Sequence, residues 1–198
     1  LLLRGNAYEK ENSVPDLSIV PDCDFPVSLG EKSIFHFFAK SDLPLQDIVK
    51  FEGGSAFNIV LGKAIAEIKA IPGLKEEIEK LVSLGRHKDS YEIAENGGSL
   101  FLKATGIPAH AAMPDGSLNA AHLLADVLAH CTRLCDSDRR IMKLASELTA
   151  DSYGGGLKIN HTDKNFGKLT AATGMCHVED GRLVLSFDVR HGASITVS

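Results

Sequence analysis

Tyr91-Glu92-Ile93-Ala94-Glu95-Asn96-Gly97-Gly98-Ser99-Leu100-Phe101-Leu102-Lys103-Ala104-Thr105-Gly106 is the stretch whose reading decides the fold. Two runs of strand length, Tyr91 to Ala94 and Leu100 to Gly106, flank Asn96-Gly97-Gly98. That triplet is a hairpin signal, because a tight connection between antiparallel strands needs residues that reach positive φ. Downstream the period changes: Leu118 to Cys131 predicts a strongly apolar helix and Arg139 to Thr149 a second one. Upstream, Leu74 to Leu84 repeats apolar residues at Leu74, Ile78, Leu81 and Val82, with Gly85 as a C-cap. Val60 to Ile71 places Val60, Ala64, Ile65 and Ile68 on one helical face, and Pro72-Gly73 would end that helix. Ile48 to Glu52, closed by Gly53-Gly54, reads as a strand, and Ser33 to Phe38, rich in aromatics, reads as a buried one. Leu17 to Val20 predicts a short strand, and Pro21 to Pro26 a loop leaving its end. Leu169 to Thr173, Met175 to Val178 and Leu183 to Val189 complete the set, Glu179-Asp180-Gly181 joining the last two. The expected class is α+β: a layered, largely antiparallel sheet with helices on one face and ferredoxin-like elements.

The chain has 198 residues, 44% of them hydrophobic and 24% charged, an ordinary globular balance. The net charge of -5 comes without a basic stripe, which argues against nucleic acid. No apolar run approaches the roughly 20 residues that cross a bilayer. Cys23, Cys131, Cys135 and Cys176 show no paired spacing, which fits a reducing cytoplasm. His130, Cys131 and Cys135 offer soft-metal ligands if the segment is one helix; the other reading is small buried thiols. The opening Leu1-Leu2-Leu3-Arg4-Gly5 lacks an initiator Met and reads as part of something longer.

Four places could carry chemistry, and each has a plain structural reading beside the functional one. Asp22, with Asp24 beside it, ends a strand between prolines; it is either a ligand exposed on a rigid element or a surface turn. His110 sits among alanines in Gly106 to Ala120, between a strand and a helix; small neighbours let a substrate reach its ring, or the ring is hydrogen-bonded for structure alone. Asp115 and Ser117 are candidate N-caps of the following helix. Asn58 closes the glycine-bearing turn Gly53 to Asn58 and is either a functional amide or the N-cap of a helix. Arg190, in Asp188-Val189-Arg190, either grips a carboxylate bidentately or makes a surface ion pair with Asp188.

Taken in order, these segments resemble the zinc-dependent aminoacylase, carnosinase and PepV-type dipeptidase superfamily, nearest to PepV-like Xaa-His dipeptidases. The matching pieces are Pro21 to Pro26, Gly30-Glu31-Lys32, Gly53 to Asn58, Gly106 to Ala120, Gly154 to Ile159 with Asp163, Gly167 to Thr170, and Asp188-Val189-Arg190. Asn58-Ile59-Val60-Leu61 and His191-Gly192 depart from the family's Asn-Met-Val-Pro and Tyr-Pro. The family's His-x-Asp, its Glu-Glu pair and its late histidine have no counterpart here, and Glu76-Glu77 reads as part of a solvated helix.

The resemblance therefore implies the lid, or satellite, domain of a di-zinc dipeptidase, with residues 1–31 a remnant of the zinc domain and linker. Residues 32–191 would be the lid and 192–198 the start of the return. It implies a cytoplasmic metallo-dipeptidase as parent, with two zinc ions that this chain alone would not hold, and Asp22 as a terminal ligand, in preference to Asp24. His110 would stabilise the oxyanion, while Asn58 and Arg190 bind the substrate, Arg190 taking the C-terminal carboxylate of a dipeptide or N-acyl amino acid. The implied partners are that substrate, the catalytic domain of the same parent and a second copy in a homodimer. The fragment itself is expected to be inactive. The rival class is a non-enzymatic ferredoxin-like module for dimerisation or small-ligand regulation.

Overall fold

The computed structural model describes residues 30–195, so the strand expected at Leu17 to Val20 lies outside the described residues. The chain divides into two units, residues 1–31 and 32–198, and the elements below all belong to the second. Strands β1 (Ser33–Lys40), β2 (Ile48–Gly53) and β3 (Lys63–Lys69) precede helix α1 (Leu74–Leu84) and the hairpin β4 (Tyr91–Asn96) and β5 (Ser99–Thr105). Helices α2 (Ala120–His130) and α3 (Asp136–Thr149) follow. The last strands are β6 (Thr162–Asp163), β7 (Gly167–Lys168), β8 (Thr170–Ala172), β9 (Cys176–Glu179) and β10 (Arg182–His191). An eight-stranded sheet runs β1-β10-β9-β2-β3-β5-β4, with β8 also on β10. Its strand pairs are antiparallel, so the α+β class read from the hairpin signal holds.

Alternation along the strands sends one set of side chains to the helices. Leu183, Leu185, Phe187 and Val189 of β10, Ala64, Ala66 and Ile68 of β3, and Leu100, Leu102 and Ala104 of β5 join one core cluster. Into the same cluster α1 inserts Leu74, Ile78 and Val82, one residue per turn, and α3 inserts Ile141, Met142 and Ala145. The opposite row of β10, Ser186, Asp188 and Arg190, therefore belongs to the face away from the helices.

Two expectations fail here. The segment expected as a helix over Val60 to Ile71 is strand β3, paired on both sides, to β2 and β5. Its buried residues are Ala64, Ala66 and Ile68, a period of two, and pairing within the sheet overrides the helical preference of alanine. Ser33 to Phe38 is a strand but not a buried one: β1 pairs with β10, and Ile34, Phe35 and Phe38 are exposed.

The helix ends are fixed by particular side chains. Asn119, rather than Asp115 or Ser117, N-caps α2, its side chain accepting from the Ala121 N–H at 2.9 Å. Buried Asp138 in the first turn of α3 accepts from the backbone N–H groups of Gln46 (2.9 Å), Asp47 (2.8 Å) and Ile48 (3.0 Å), and so holds the start of β2. Glu77, expected in a solvated face, binds the α2–α3 turn through the Thr132 N–H, the Thr132 hydroxyl and the Arg133 N–H. Among the described residues no helix is long and apolar enough to cross a membrane.

Candidate substrate-binding face

The turn after β2 is built on close backbone approach. Gly54 has φ +74°, and a Cβ there would collide with the carbonyl oxygen of Gly174. A Cβ on Gly174 would in turn meet the Phe57 oxygen at 2.6 Å and the Ile59 oxygen at 2.9 Å. Gly54 and Gly174 let residues 54–59 lie directly on the chain entering β9, while a Cβ on Gly53 would meet the Lys63 oxygen of β3 at 2.5 Å. No helix begins after it, so Asn58 is not an N-cap; it is exposed in a turn.

That turn pairs with the segment carrying His110. The Val60 N–H donates to the Ala109 oxygen at 2.8 Å and the Ala111 N–H to the Asn58 oxygen at 2.9 Å, bracketing an antiparallel bridge between Ile59 and His110. Val60, Ala111 and Ala172 form a small buried cluster of their own beneath these segments. His110 is exposed, and its Nδ1 accepts from the Ala112 N–H at 3.2 Å. In the neutral imidazole the ring proton then sits on Nε2, which makes His110 a hydrogen-bond donor without a net charge. Tyr153 donates its hydroxyl to Asp115 and so ties down the loop beyond His110. That bond, with lesser contributions from burial and the Asp115 charge, pushes the phenol up to about 12.

Arg190 is half-buried on β10 and does pair with Asp188, but not at the surface. Arg190 Nε donates to Oδ1 at 3.0 Å and an Nη2 hydrogen to Oδ2 at 3.2 Å, around a carboxylate with no exposure. The residue that reading the sequence missed is His36 on β1, whose Nε2 lies 3.2 Å from Asp188 Oδ2. The His36 ring stacks on Phe57 at 4.4 Å with planes 14° apart, and Phe38 meets the Phe57 ring edge-on at 5.1 Å. A continuous run of contacts therefore joins Arg190, Asp188, His36 and Phe57, then passes along the chain to Asn58 and across the bridge to His110. Thr170, directly opposite Arg190 on β8, carries a buried Oγ1 with no hydrogen-bond partner among the described residues.

Asp22 and Asp24 lie outside the described residues. Among the described residues, Asp47, Cys135 and Asp138 have ligand atoms grouped closely enough to suggest a cation. The carboxylates already serve backbone amides, Asp138 those of 46–48 and Asp47 that of Cys135 at 2.7 Å, so the group does not suit zinc. Nor do His130, Cys131 and Cys135 form a helical set. Cys131 is the C-cap residue of α2 and Cys135 the N-cap residue of α3, while His130 Nδ1 contacts the Asp126 oxygen. Burial pushes the Cys131 thiol up to about 11, the state of an inert core thiol.

The proteins that this chain resembles are of one kind, bacterial dipeptidases. One is "Putative dipeptidase YtjP" of Bacillus subtilis, 29% identical over 184 residues, which are 88% of this chain and 39% of that protein. A second is the Beta-Ala-Xaa dipeptidase of Lactobacillus delbrueckii subsp. lactis, 29% identical over 192 residues, 93% of this chain and 40% of that protein. No family model matches the chain. The chain spans about two-fifths of the length of these relatives and is related to that segment of them, as its motifs indicate.

Proposed function

We propose that residues 32–191 are the substrate-gripping lid of a dipeptidase. In this reading Arg190 holds the C-terminal carboxylate, Asn58 the backbone of the substrate, and His110 Nε2 the oxygen that becomes negative as the peptide carbonyl is attacked. The observation that supports it is the backbone pairing of the Asn58 turn with the His110 segment, which holds the two stretches of chain against each other. A donor fixed before reaction needs no reorganisation when charge develops on the carbonyl oxygen. Buried Asp188 occupies Arg190 through Nε and Nη2, which orients the guanidinium and leaves Nη1 without a partner among the described residues. A dipeptide would present a carboxylate to Arg190, and a longer peptide would present an amide there, which accounts physically for exopeptidase action.

The two zinc ions belong in this proposal to the rest of the parent, together with Asp22, since no set among the described residues suits them. They would supply the activated water and polarise the carbonyl; the residues above bind and orient the substrate. A homodimer and a cytoplasmic location remain part of the same proposal. The test is steady-state kinetics of the full-length parent carrying Arg190→Met, assayed on a dipeptide and on its C-terminal amide. Arg190→Met should raise KM for the dipeptide at least tenfold and leave that for the amide nearly unchanged. Equal effects on both substrates would overturn the reading.

A further inference from the structure

Asp188 is fully buried, and one guanidinium already satisfies both of its oxygens, yet a second donor reaches it from another strand. His36 is that donor, and nothing about a sheet edge requires it. Its side chain keeps 44% of its surface exposed while Nε2 points inward to Oδ2, and its ring face is taken by Phe57. One imidazole thus touches the group that orients Arg190 and the residue next to Asn58.

We propose that His36 is a positioning residue for substrate binding, aligning the carboxylate grip of Arg190 with the turn that carries Asn58. The inference rests on the reading of Arg190 as the carboxylate anchor and deepens it. Through its bond to Oδ2, His36 fixes the plane of the Asp188 carboxylate, and Asp188 fixes the fork of Arg190. Through the stack, the same ring fixes Phe57, whose backbone runs directly into Asn58. One side chain then links the carboxylate anchor to the turn that carries the backbone-binding amide, alongside the backbone bonds that hold that turn, which suits a substrate of fixed length. A carboxylate held by the hydrogens that Asp188 leaves, on Nη1 and the second on Nη2, is sensitive to the angle of the guanidinium, so loosening its support should weaken recognition of a free carboxylate first.

The experiment uses the full-length parent with His36→Ala, His36→Gln and Arg190→Met, each assayed on a dipeptide and on its amide. His36→Ala should raise KM for the dipeptide about fivefold to tenfold, with kcat changed less than twofold and the amide little affected. His36→Gln, which can still donate to Asp188, should recover much of the loss. If His36→Ala does not fold, His36→Phe takes its place, keeping the stack and removing the bond. A His36 variant that leaves the dipeptide-to-amide ratio at the wild-type value, while Arg190→Met lowers it, overturns this inference alone. If Arg190→Met also leaves the ratio unchanged, the carboxylate reading falls and this inference with it.

Discussion

At the scale of single residues, the role proposed for His110 turns on which ring nitrogen is free to donate. The Ala112 N–H engages Nδ1, which leaves Nε2 as the nitrogen that can donate to a substrate. His110→Ala in the full-length parent should lower kcat by about a hundredfold to a thousandfold, the usual effect of losing one oxyanion donor. Bound metal, measured by elemental analysis, should be unchanged; parallel losses of metal and turnover would make His110 a ligand instead. Asp188 and Arg190 were legible in the sequence because residues two apart on a strand share a face. His36 was not legible, since its partner is 152 residues away and only the register of β1 on β10 brings them opposite each other. The Thr170 Oγ1, without a partner among the described residues, was equally hidden, because such burial is a property of packing and leaves no mark on residue type.

At the scale of elements, the connections between strands and helices carry much of the order. Asp138 joins α3 to the start of β2 by accepting from three consecutive backbone amides. Asp138→Ala leaves three donors, the buried Ile48 N–H among them, without their acceptor and should cost on the order of 2 kcal/mol in urea unfolding. Asp138→Asn, which keeps one acceptor oxygen, should cost less. Gly174→Ala should push residues 54–59 off the sheet; a lowered Tm with a larger KM in the parent would report it. The hairpin β4–β5 and the three helices were readable from turn residues and spacing. Strand β3 was not, because Lys63-Ala64-Ile65-Ala66-Glu67-Ile68-Lys69 fits a helical period almost as well as an alternating one. Its neighbours in the sheet decide between the two.

At the scale of the whole molecule, stability and activity have separate predictions. Asp163 is held well below the usual carboxylate range by the Ser194 hydroxyl and by the N–H groups of Asn165, Phe166 and Ser194. A carboxyl that binds protons less readily when folded stabilises the native state above its ordinary pKa of 3.8 and loses that contribution as pH falls. Thermal unfolding should therefore show the wild type ahead of Asp163→Asn at pH 7, with the gap closing below pH 3.8. The same carboxylate accounts for Gly192, since a Cβ at that position would collide with the Asp163 side chain. The 198-residue chain on its own should hydrolyse no dipeptide, with or without added zinc, in an assay controlled for host peptidases.

Strands β1 and β10 run side by side along their length, with Ser33 directly opposite His191. The polypeptide thus enters and leaves this body through neighbouring doors, roughly 5 Å apart as adjacent strands are. A module with that geometry can be spliced into a loop of a host protein without stretching the host.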